Sequence, residues 1–174
     1  QQNTAATNII SGLIKYYLKF VLPLEQTYTF DLFSTPSLNE IDFTNAPQVL
    51  LVGQYRVGKT SFINYLVEKN VMGSRVGVEP TTDKLTAVMY ANTGEERVYL
   101  GNAAAADKNL PFQSLQRFGT SFLNRFEVSL CNSPILKEVT FIDTPGVLSG
   151  EKQRIYREYD FPTVIQQCAA SSSM

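Results

Sequence analysis

Residues 53 to 61 read GQYRVGKTS, a frame whose residue types could hold a phosphate chain. Gly53, Gly58, Lys59 and Thr60 satisfy the spacing G-x-x-x-x-G-K-[ST]. Glycines let backbone N–H groups close around phosphate oxygens, an ammonium at Lys59 bridges the β and γ phosphates, and the Thr60 hydroxyl can ligate Mg2+. The candidate nucleotide-binding residues are therefore Gly53, Gln54, Tyr55, Arg56, Val57, Gly58, Lys59, Thr60 and Ser61. The alternative is a strand-to-helix turn that meets the frame by chance.

The flanking elements favour the cradle. VLLV before it is short, apolar and β-branched, as a buried strand is. SFINYLVEK after it sets Phe62, Ile63, Leu66 and Val67 on one helical face, so that a helix N-terminus points at the anion. Further on, VTFI leads into DTPG at 143 to 146, where Asp143 would hold Mg2+ through water and the Gly146 N–H would reach the γ-phosphate. Alone, DTPG could be a plain turn after a strand; behind a phosphate loop, in this order, it is a strong signal. Between the two lies VEPTTDK, whose Thr81 or Thr82 either ligates Mg2+ and orders a switch loop or merely caps local structure.

Composition bounds the remaining readings. A chain of 174 residues, 44% hydrophobic and 18% charged, has room for about one globular domain. A net charge of -1 argues against a nucleic-acid surface spread over the domain. Cys131 and Cys168 have no metal spacing, and with no histidine in the chain neither a zinc site nor a histidine-activated nucleophile can be assembled. Both read as free thiols in a reducing cytosol.

Several segments frame this core. In IISGLIKYYLKFVLPLE, residues Ile9, Ile10, Leu13, Ile14, Tyr17, Leu18, Val21 and Leu22 recur at helical spacing, which predicts an amphipathic helix ending near Pro23. Packing against another part of the protein is favoured over a membrane-surface or partner-binding role, because two lysines make a thin basic face. The organisation expected is a helix over 1–24, a polar connector over 25–48, the nucleotide-binding part over 49–170 and a tail over 171–174. LTAVMYA reads as a strand, and FQSLQRFGTSFLNRFEVSL as one or two helices with Leu115, Phe118, Phe122, Leu123 and Phe126 facing inward.

Taken together, VLLVGQYRVGKTSFINYL, GSRVGVEPTTD, FGTSFLNRF, FIDTPGVLSGEKQR and YDFP resemble the EH-domain-containing (EHD) ATPases of the dynamin superfamily. The resemblance runs from about Leu13 to Gln166 and implies an α/β P-loop NTPase, a dynamin-like G domain, incomplete and preceded by an N-terminal amphipathic helix. It implies ATP with Mg2+ as ligand, GTP being the alternative, and slow hydrolysis coupled to membrane remodelling in endocytic recycling. Its implied setting is cytoplasmic and peripheral, at endosomal or plasma membrane, with self-assembly into dimers or oligomers. Carried over by position, Lys59 and Thr60 hold phosphate and metal, Thr82 with Thr81 forms the first switch, and Asp143 to Gly146 begins the second.

Departures from the family pattern carry their own expectations. Arg56-Val57 stands where members usually have Ser-Thr. In related guanylate-binding proteins and atlastins an arginine at the corresponding place acts as a finger in cis, so Arg56 is either such a finger or a solvent-facing substitution in a slow enzyme. In DKNLPFQ, Leu110 replaces an expected lysine, and Pro111-Phe112 is either an exposed assembly or membrane contact or an anchor into the core. Only about three strands can be placed where a doubly wound fold has about six, and the N-K-x-D region is missing, so the chain is expected to be a fragment with an open sheet edge. A general GTP-binding switch of dynamin or septin type, and a non-catalytic interaction fragment, are the competing functions.

Overall fold

Side chains that alternate between two faces of a five-stranded sheet organise the larger part of the molecule, as a computed structural model of the chain shows. The structure describes residues 2–32, 37–54, 56–71, 84–147 and 159–172. These form two units, Gln1–Asn45 and Ala46–Met174.

The smaller unit is helical. Helix α1 (Gln2–Tyr16) passes through a wide turn at Tyr17–Val21 into α2 (Leu22–Thr27), followed by a 3-10 turn at Phe30–Leu32 and α3 (Glu40–Thr44). The helix does not stop near Pro23, as the sequence suggested. Pro23 lies in the first turn of α2, where its missing N–H costs little. Nor is the stretch after Glu25 irregular throughout: among the described residues the end of α2, the 3-10 turn and α3 lie within it. Tyr17 is the buried hub: its hydroxyl donates to Glu25 at 2.7 Å and accepts from the Leu38 N–H at 2.8 Å, while its ring lies 5.4 Å from that of Phe43. The rest of the apolar stripe is less covered, with Ile9, Leu13 and Leu18 exposed.

In the larger unit the strands are β1 (Gln48–Leu51), β2 (Leu85–Tyr90), β3 (Arg97–Leu100), β4 (Phe126–Cys131) and β5 (Thr140–Asp143). Their order is β1-β5-β2-β4-β3. The expectation of about three strands is thus corrected to five among the described residues, and FEVSL, read as helix, is strand β4. What precedes β4 is a 3-10 turn (Gln113–Phe118) and a short helix, which is α6 (Gly119–Leu123) in chain order after α4 (Lys59–Val67) and α5 (Gly101–Ala106). Helix α7 (Phe161–Ser172) closes the described chain. β1 lies at one edge of the described sheet.

Two cores sandwich the sheet. On one face Leu85, Ala87, Phe126, Val128 and Ile142 pack with Phe112, Leu115, Phe122 and Val164. On the other, Val88, Cys131 and Phe141 receive Ile63 and Val67 of α4. Phe62, grouped with these two by spacing, is 51% exposed instead, because Ile63 and Val67 form the flank of the stripe that meets the sheet and Phe62 lies on the opposite flank. Phe112 is 4% exposed and sits edge-on to Phe126 at 5.1 Å, so it anchors its loop in the core and is no exposed contact; Pro111 is half-buried.

Candidate nucleotide-binding site

β1 and β5 run parallel, with Leu51 opposite Asp143, so the two loops of interest leave the same end of the sheet side by side. Direct bonds then join them. The Val147 N–H donates to the Gly53 carbonyl at 2.9 Å, and the Thr144 hydroxyl donates to the Leu51 carbonyl at 2.6 Å. Gln54 and Val147 form an isolated parallel bridge. The phosphate-loop frame and DTPG are therefore one structure, built from segments that sequence reading could only set in order.

Gly58 adopts φ 90° as the residue preceding α4, a left-handed conformation that side chains rarely take. This lets the chain turn abruptly into the nine-residue helix, whose first-turn N–H groups lack intrahelical partners and suit an anion. Arg56 also has positive φ, 63°, and its side chain is exposed beside the loop. Val57 is exposed, and Gly53 is tight: a Cβ there would lie 3.1 Å from Val57 Cγ2. The Lys59 ammonium donates to the carbonyls of Gly53 at 3.2 Å and Gln54 at 3.0 Å, so it spans the mouth of the loop.

The metal-ligating candidates Thr60 and Asp143 come together, the Thr60 hydroxyl donating to Asp143 Oδ2 at 2.5 Å. The second oxygen, Oδ1, is buried and has no hydrogen-bond partner among the described residues. Burial raises the Asp143 carboxyl from its ordinary value, against the opposing pull of the Thr60 hydrogen bond and the Lys59 charge. A hydroxyl and a carboxylate with an orphaned oxygen beside a phosphate loop are the donor set Mg2+ takes, so these residues fit the ion. Gly146 is buried next to the loop junction. Tyr55, Thr81 and Thr82 lie outside the described residues.

Sequence reading missed a polar row behind this site. Thr86 on β2 is the register partner of both Asp143 and Glu127, and the side chains of Thr86 and Glu127 are buried. The Thr86 hydroxyl donates to Glu127 Oε1 at 3.2 Å, and Lys84 donates to Glu127 Oε2 at 2.9 Å. The available signal was a carboxylate inside the mostly apolar run FEVSLC.

Comparison with known proteins agrees with this architecture. Residues 49–173 match the dynamin family, and residues 12–44 match the N-terminal EH-domain containing protein family. The chain is 49% identical over 158 residues to EH domain-containing protein 1 of Homo sapiens, covering 91% of this chain and 29% of that protein. It is 48% identical over 166 residues to EH domain-containing protein 2 of Homo sapiens, covering 95% and 30%. The chain thus spans under a third of the length of these relatives. A solved bacterial dynamin pair, described as sensing and tethering membranes, overlaps loosely, with TM-score 0.43 and 18% identity over 74% of this chain and 20% of that one. By the match over residues 49–173, supported at its N-terminal end by the second match, the chain belongs to the dynamin family, in its EH-domain-containing branch.

Proposed function

We propose that this chain is the nucleoside-triphosphate-binding part of a membrane-remodelling ATPase. The observation that carries the reading is the meeting of Thr60 with Asp143 beneath the phosphate loop, with Asp143 Oδ1 left open. On this reading the loop from Gly53 to Ser61 wraps the phosphates and Lys59 exchanges its carbonyl partners for β and γ oxygens. Thr60 and Asp143, with Thr82 from the first switch, would hold Mg2+, whose chemistry there is neutralisation of phosphate charge. Gly146 offers its N–H to the γ-phosphate. Arg56, on the exposed side of the loop, serves as an arginine finger in cis.

For the whole protein we propose ATP as the preferred nucleotide and slow hydrolysis coupled to membrane remodelling in endocytic recycling. It would work as dimers or oligomers on the cytoplasmic side of endosomal or plasma membrane. Among the described residues no helix is long and apolar enough to cross a membrane, which is compatible with peripheral attachment.

The test is equilibrium binding of fluorescent ATP and GTP analogues in Mg2+, with Lys59→Ala as control. Lysine-dependent, ATP-selective binding is expected. GTP selectivity would move the protein to the GTP-binding switches, and binding that survives Lys59→Ala would overturn the cradle.

A further inference from the structure

The row across three strands behind the cation site carries an inference of its own, which rests on the proposed reading of Thr60 and Asp143 as metal ligands. Thr86 and Asp143 are directly opposed on antiparallel strands, and Thr86 and Glu127 are paired on parallel ones. Paired positions share a face of the sheet, and directly opposed antiparallel residues have Cβ atoms about 4.5–5.5 Å apart. Thr86 therefore stands between two buried carboxylates, Asp143 at 6% and Glu127 at 4% exposure.

A threonine hydroxyl has one hydrogen to give. Buried carboxylate oxygens compete for such a hydrogen, because an unpartnered buried acceptor is costly. Here Glu127 Oε1 receives it, at 3.2 Å, and Asp143 Oδ1 goes without a partner. Lys84 fixes the outcome by binding the other oxygen of Glu127 at 2.9 Å, which orients the carboxylate and balances its charge. We propose that Glu127 is a positioning residue for the cation site: by holding the Thr86 hydroxyl hydrogen, it keeps Asp143 Oδ1 open as an acceptor.

Three variants separate this role from bulk packing or added negative charge. The readout is the Mg2+ concentration that half-saturates binding of a fluorescent ATP analogue to the full chain, with thermal melting as a check on folding. Glu127→Met removes the competing acceptor and releases the Thr86 hydrogen to Asp143; the midpoint is expected to rise about 10-fold, as for other changes behind metal ligands. Glu127→Gln removes the charge but keeps an acceptor oxygen, so its midpoint should stay near that of the unaltered chain. The double change Glu127→Met with Thr86→Val removes the hydrogen as well and should restore the midpoint.

An unshifted midpoint in Glu127→Met, a shift in Glu127→Gln, or a double variant as weak as the single one would each overturn the proposal. Should Glu127→Met fail to fold, a shifted Glu127→Gln remains able to refute it. If the unaltered chain binds nucleotide without regard to Mg2+, the metal-site reading falls and this inference with it. A Mg2+-dependent unaltered chain with unresponsive Glu127 variants removes the inference alone.

Discussion

The Thr60 hydroxyl donates to Asp143 Oδ2 at 2.5 Å, joining positions 83 residues apart, and that single bond ties the start of α4 to the end of β5. It does not repay the burial of the carboxylate. With desolvation as the dominant influence, Asp143 holds its proton more tightly in the folded chain than in the unfolded one. The stabilisation from that protonation is complete below the ordinary carboxylate pKa and is lost as pH rises through the raised folded value. At neutral pH the ionised side chain is therefore a cost to the fold, tolerated at a site that suits a cation.

Asp143→Asn should accordingly melt at a higher temperature than the unaltered chain at neutral pH in the absence of Mg2+. Its advantage should shrink as pH falls towards the carboxylate range. The same variant should lose Mg2+-dependent nucleotide binding. Melting curves collected across pH check the first statement, and a lower melting temperature at neutral pH would refute it.

Arg56→Ala addresses the proposed finger. The side chain is exposed and the substitution exchanges one non-glycine residue for another at a left-handed position, so melting temperature serves as the check that the loop is kept. Nucleotide affinity should change little while single-turnover hydrolysis drops by roughly 10³-fold, the lower range for fingers acting on a γ-phosphate. Equal turnover in both chains would refute the finger.

Phe112→Ala tests the loop that sequence left ambiguous. With Phe112 buried edge-on against Phe126, truncation should cost about 3–5 kcal/mol in urea unfolding, as for other buried aromatics. A cost near zero would return Phe112 to the surface.

How much of this was legible beforehand depends on where neighbours decide. β1, β2 and β5 announced themselves as apolar runs next to glycine, proline or aspartate breakers, and the phosphate loop and DTPG were found from spacing alone. β4 was hidden because both its faces are buried, which removes the two-residue alternation. Phe122, Leu123 and Phe126 also continue a helical spacing straight across the boundary. β3 is four residues long and half exposed, too short to outweigh its surroundings. Phe62 and Phe112 show the converse: one apolar residue faces solvent and another enters the core, and only the position of the sheet distinguishes them. Glu127 could be seen as an oddity in a strand-like run, but its meaning needed the register that brings Thr86 beside it.

The amide of Val147, bonded to the Gly53 carbonyl, makes the two loops mechanically inseparable. Neither can be displaced without breaking that bond, so its hydrogen exchanges with solvent only when they part. One backbone proton thus acts as a gauge of the whole cradle: its exchange rate reports how often the site comes apart, and any ligand that clamps both loops must slow it.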